Sequence, residues 1–157
     1  MKARVLLLSL AALCTACAGP GGLAGRSTAA PGCPATAREL PVEALYGSWQ
    51  ARFDGLPGTA TVVLGKHPEY AGVRGTITRA AAAPSANPSV AQLAGDVDDE
   101  GELAIDESLD GRSISGVWSG TLQPDSCGRE FKGTWRNAAD ETTHPFTLKK
   151  TERTAVK

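Results

Sequence analysis

Histidine is scarce in this chain: there are two, His67 and His144, and four cysteines. Neither histidine stands at ligand spacing from the other or from a cysteine pair, so no zinc-type cluster is expected. A second long apolar run is also missing, and crossing a bilayer as a helix takes about 20 apolar residues. Positive charge is in deficit. Without Lys2 and Arg4, which leave with the N-terminal segment, the 16 basic residues fall to 14 against 17 acidic ones, a net charge of -3. That balance excludes the electrostatic footprint of a nucleic-acid-binding protein. No glycine loop of the phosphate-cradling kind is present. Gly111-Arg-Ser-Ile-Ser-Gly116 has one residue too many for a nucleophile elbow, which also needs a strand-to-helix turn. Ser113 and Ser115 read instead as outward-facing strand serines, and His67 and His144, each beside a proline, as turn residues. The chain is therefore expected to be no enzyme and to need no cofactor.

What is present begins with an address. Lys2 and Arg4 precede the apolar run Val5 to Leu13, and small residues follow, so residues 1–16 read as a signal peptide. Ala16-Cys17-Ala18 fits ordinary cleavage after Ala18. Leu13-Cys14-Thr15-Ala16-Cys17 also resembles a bacterial lipobox, with Cys14 where leucine is usual. The resemblance implies that Cys17 is the lipid attachment site, carrying palmitate or a similar chain. By resemblance to bacterial lipoprotein sorting, Ala18 in place of Asp implies the outer membrane, facing the periplasm. The alternative is a soluble periplasmic or secreted protein.

Residues 17–38 are rich in Gly, Pro, Ala, Ser and Thr without an apolar period, and read as a disordered, flexible tether. Some twenty such residues would separate anchor and domain by roughly 25 Å. Cys33 and Cys127 are the cysteines that remain, and two thiols in an oxidising compartment pair. A barrel domain is expected over residues 39–150, followed by a charged tail over residues 151–157.

Within that domain apolar residues recur at every second position in short runs separated by turns. Side chains alternate faces along a strand, so each run has an apolar face and a wet one. The runs predict strands over Leu45–Phe53, Thr59–Gly65, Ala71–Arg79, Val90–Val97, Glu102–Asp106, Ser113–Gln123, Arg129–Arg136 and Pro145–Lys150. A short helical turn is expected between Glu39 and Tyr46, with Pro41 near its start. The predicted inward residues are Trp49, Ala51 and Phe53; Ala60, Val62 and Leu64; Val73 and Ile77; Leu93 and Val97; Leu103 and Ile105; Ile114, Trp118 and Leu122; Phe131 and Trp135; Phe146 and Leu148. Turns every eight to twelve residues indicate an all-β sandwich or barrel.

Glycines share the inward faces: Gly47, Gly75, Gly95, Gly116, Gly120 and Gly133. Glycine in a strand marks a bend or a close approach, and sheets curl into barrels at such points. Three of them precede a tryptophan by two residues, in Gly47-Ser-Trp49, Gly116-Val-Trp118 and Gly133-Thr-Trp135. Gly-x-Trp on the first strand of an eight-stranded meander resembles the calycins: lipocalins, avidin-like proteins and barrel-type bacterial metalloprotease inhibitors. The resemblance implies a single eight-stranded antiparallel up-and-down barrel.

One stretch invites a metal. Asp96, Asp98, Glu100, Gly101 and Glu107 fall at positions 1, 3, 5, 6 and 12 of a calcium loop. That loop belongs between helices, whereas these residues lie between strand-like runs, and a solvated acidic edge that discourages strand pairing is the competing reading. The expected role is a non-enzymatic binding module for an envelope protein partner; the resemblance to the barrel-type inhibitors implies a protease inhibitor using the segment before Leu45 as its arm. The alternative is a lipocalin-like carrier of a small apolar ligand lined by Trp49, Trp118 and Trp135.

Overall fold

A computed structural model describes residues 32–81 and 87–151. The signal peptide, Cys17, residues 17–31 of the tether and residues 152–157 of the tail lie outside the described residues. Two 3₁₀ turns, Ala37–Glu39 and Val42–Leu45, lead into eight strands: β1 (Gly47–Phe53), β2 (Ala60–Lys66), β3 (Val73–Arg79), β4 (Ser89–Val97), β5 (Leu103–Ser108), β6 (Gly116–Leu122), β7 (Glu130–Asn137) and β8 (Thr143–Lys150). Each strand pairs antiparallel with the next, and β8 closes on β1 from Trp49↔Lys150 to Phe53↔Phe146. The eight-stranded barrel implied by the resemblance is therefore present.

An up-and-down barrel has two poles. The turns after β2, β4 and β6 lie at one, with the chain entering β1 and leaving β8; the turns after β1, β3, β5 and β7 form the other, called the mouth below. The first pole is plugged. Leu45 and Ala37 are each 1% exposed, and Trp49 is fully buried with its Nε1–H donating to Leu45 O at 2.8 Å. The Lys150 ammonium sits 5.3 Å from the Trp49 ring centroid and donates to Ala44 O. Cys33 and Cys127 are disulfide-bonded, their Cα atoms 4.5 Å apart, which pins the entering arm to the turn between β6 and β7. The last residues of the stretch read as tether are thus docked against the barrel.

The interior is filled by the alternating residues that the sequence marks. Trp49 tilts against Phe131 at 5.9 Å, and nearer the mouth Trp118 meets Phe53 and Phe146 edge-on, each at 4.9 Å. Burying a large side chain of this kind is worth about 1.5–3 kcal/mol. Ala91 joins the core as well, one pleat before Leu93. Ile114 does not. It is 52% exposed, because β6 starts at Gly116 and Ile114 belongs to the turn before it. There Asp110 Oδ1 accepts the N–H groups of Arg112 and Ser113, and the turn takes Ile114 off the strand face.

The inward glycines divide by what occupies their space. A Cβ at Gly75, Gly95 or Gly133 would collide with the backbone of the neighbouring strand, so these mark the places where the sheet curls tightly. A Cβ at Gly116 would strike the Trp135 indole, and one at Gly120 the Phe146 ring. The indole that fills the space at Gly116 is thus not its own Gly-x-Trp partner, Trp118, but the tryptophan paired with Trp118 on the next strand.

Candidate functional site

The strand alternation that buries Val73 and Ile77 puts Arg79 on the inward face of β3, two residues further toward the mouth. On β5 the alternation of Leu103 and Ile105 does the same for Glu107. The two meet across β4, where the inward side chain at that level is small Ala91. Arg79 Nη1 donates to Glu107 Oε1 at 2.7 Å and Nη2 to Oε2 at 2.8 Å, a two-pronged fork. Trp118 Nε1–H adds a third bond to Oε2 at 3.1 Å. The Glu107 side chain is 3% exposed and that of Arg79 is 22% exposed. Burying a carboxylate is costly unless it is paired and hydrogen-bonded, and here three charge-assisted or buried donors hold it. The guanidinium also lies 5.2 Å from the ring centroids of Phe53 and Trp135, within cation–π range.

This polar cluster forms part of the mouth. A cavity of about 450 Å³ is lined by Phe53, Leu56, Ala60, Arg79 and Asn87. A neighbouring one of about 570 Å³ is lined by Leu56, Arg79, Glu107, Ile114 and Trp135. Both share Leu56, Arg79 and Ser89, so they form two lobes of one cup. Trp135 is 8% exposed, and its Nε1–H is buried without a hydrogen-bond partner among the described residues. A buried donor left unpaired costs about 1–3 kcal/mol, which makes it the strained group of the cup. At the rim, the Asp110 carboxyl is held down to about 2 by the backbone N–H groups of Ser113 and Arg112.

The residues singled out in the sequence fall in different places. Trp49 is part of the plug at the pole away from the mouth, Trp118 lies beneath the cup with its N–H committed to Glu107, and Trp135 lines the cup. The acidic stretch is not brought together. Asp98 Oδ1 accepts the N–H groups of Glu100 and Glu102 in the turn between β4 and β5. Asp96 pairs within the β4–β5 ladder beside that turn, whereas Glu107 sits near the mouth end of β5 and is tied to Arg79. No group of three His, Cys, Asp or Glu side chains is gathered among the described residues. His67 is buried against Tyr70, ring centroids 3.8 Å apart, and His144 Nδ1 lies 2.9 Å from Asp54 O, within β8 rather than in the turn before it.

The ion pair at the mouth is the feature that sequence reasoning missed. Its signal was present: extending the inward alternation of β3 and β5 by one step reaches Arg79 and Glu107, of opposite charge. As it stands the cup is an apolar concavity whose ion pair cancels in charge. No protein-family model matches the chain, and no curated protein matches it.

Proposed function

We propose that this chain is a calycin-like, non-enzymatic binding module of the bacterial cell envelope, held to a membrane by lipid on Cys17, and that it receives a small ligand at the mouth of its barrel. The observation that carries this reading is the two-lobed cup with Arg79, Glu107 and Trp135 on its walls. Ligand sites are typically concave, mostly apolar and furnished with a few placed polar groups. Binding is confined to the mouth, because Trp49, Phe131 and Trp118 fill the barrel beneath it. Titration with a panel of fatty acids and small aromatic compounds, read by tryptophan emission, tests it. A saturable change that weakens in Trp135→Phe is expected, and flat emission across the panel counts against the reading.

A protein partner is the second reading, favoured by Leu109 and Ile114, which are 62% and 52% exposed in the turn beside the cup. An inhibitor arm before Leu45 is disfavoured, since that segment is held by the disulfide and buries Ala37 and Leu45. The anchor has its own test. A lipid chain contributes about 0.8 kcal/mol per buried CH₂, so several chains on Cys17 would hold the protein firmly. Labelled palmitate should be incorporated, and the label should disappear in Cys17→Ser; label that survives the substitution overturns the assignment.

A further inference from the structure

We infer that the cup selects an uncharged, largely apolar molecule bearing a hydrogen-bond acceptor, such as an amide or ketone carbonyl, and discriminates against the corresponding acid and amine. This rests on the reading of the mouth as a binding site and specifies its ligand.

A guanidinium has five N–H donors, and Arg79 commits two of them to Glu107. The Glu107 carboxylate accepts three N–H bonds, two from Arg79 and one from Trp118, which takes up most of its capacity. The cup wall therefore offers the remaining Arg79 donors, while the unpartnered Trp135 Nε1–H is buried against Gly116. The nearest acidic group has little left to accept with. The Asn137 side-chain amide oxygen, on the same wall, takes the Ala139 N–H.

The charge of the wall sums to zero, since one guanidinium faces one carboxylate at 2.7 Å. An entering carboxylate would place two anions on one cation in a partly desolvated site. An entering ammonium would meet the guanidinium, with Glu107 already occupied. A neutral carbonyl meets neither penalty and can accept from the Arg79 donors that Glu107 leaves over. Phe53, Leu56 and Ala60 supply an apolar wall for the rest of the molecule. Lobes of about 450 and 570 Å³ are of the size that holds a drug-sized compound.

Three compounds with one skeleton separate these cases: 4-phenylbutanamide, 4-phenylbutanoate and 4-phenylbutylamine. Each is titrated at pH 7 into ¹⁵N-labelled protein, following the indole N–H signals of Trp49, Trp118 and Trp135 and the Arg79 Nε–H signal. The amide should move the Trp135 signal saturably and leave Trp49 unmoved. The acid and the amine should bind roughly tenfold more weakly, the equivalent of about one net hydrogen bond. Glu107→Gln removes the compensating charge and should turn the preference toward 4-phenylbutanoate. If that variant does not fold, the three-way comparison on the unaltered protein still decides.

Acid or amine bound as tightly as the amide by the unaltered protein overturns the neutral-acceptor class while leaving the mouth as a binding site. Shifts confined to residues away from the cup, or none at Trp135 and Arg79 with any of the three, overturn both readings.

Discussion

Arg79 and Glu107, 28 residues apart in the chain, hold each other through two parallel hydrogen bonds just below the rim of the barrel. They are unequally dry, at 22% and 3% exposed, and that inequality sets the first prediction. Arg79→Ala strands a carboxylate that cannot regain water, and breaking a buried pair in this way costs about 3–5 kcal/mol. Glu107→Ala leaves a guanidinium that can turn to solvent and one buried, neutral donor, Trp118 Nε1–H, so the loss should be smaller, about 1–3 kcal/mol. Urea unfolding of both variants checks the order; equal losses would mean that the carboxylate is wetter in solution than here.

Gly133 shows where the sheet cannot carry a side chain. A Cβ there would run into Ser119 O and the Cα of Gly120 on β6. Gly133→Ala should therefore cost about 1–3 kcal/mol or more, the usual range for forcing atoms into a filled space. Gly65→Ala is the control, because the nearest atom to its Cβ is Arg74 O at 3.9 Å. Thermal unfolding of the two should separate them, with Gly65→Ala within about 0.5 kcal/mol of the unaltered protein.

Asp110 predicts a pH dependence local to the turn between β5 and β6. Its carboxyl is lowered from 3.8 to about 2, chiefly by the N–H of Ser113 and then that of Arg112, with the Ser108 hydroxyl adding a smaller part. A carboxyl whose folded value is depressed stabilises the fold above its unfolded value and ceases to do so as pH falls through the folded one. The turn should therefore hold above pH 3.8 and loosen as pH falls toward about 2. The Arg112 and Ser113 amide signals should titrate together with that midpoint, and Asp110→Asn should abolish the transition. A midpoint near 3.8 would mean that the turn is not formed in solution.

The Cys33–Cys127 bridge closes a loop spanning 94 residues of sequence. In the chain-entropy account a loop of that length is worth on the order of 4 kcal/mol. Cys33→Ser with Cys127→Ser should lower the melting temperature. It should also free the arm, exposing Leu45 and Trp49 to faster hydrogen exchange while the strand pairing of β3 to β6 stays protected. Exchange that accelerates evenly through all eight strands would contradict the arm as a separable plug.

Much of this architecture is legible in the sequence because strand periodicity is short and unforgiving. Nearly every inward residue from Trp49 to Leu148 is where period-two alternation puts it, and the inward glycines mark the tight curl at Gly75, Gly95 and Gly133. Alternation fails at Ile114 because a side chain–backbone turn at Asp110, ahead of β6, ends the pleat before the apolar pattern ends. The cup is harder to read for a different reason. Looking for oil on the inner face stops at Ile77 and Ile105, whereas the ion pair lies one step beyond each, at charged residues that pair only once β4 has set their distance. Glu107 was visible as part of an acidic run, but proximity along the chain concealed that its partner lies on another strand.

Thr151 N–H donates to Ser48 O at 2.9 Å, so the first and last strands emerge side by side at the pole opposite the cup. A bead, a sensor chip or a fluorescent fusion attached directly after Thr151 would sit at the pole away from the rim. The same arrangement makes the barrel a candidate for circular permutation: with a peptide run from Thr151 to Gly32 at that pole, new ends could be cut in the turn between β7 and β8, every strand keeping both of its neighbours.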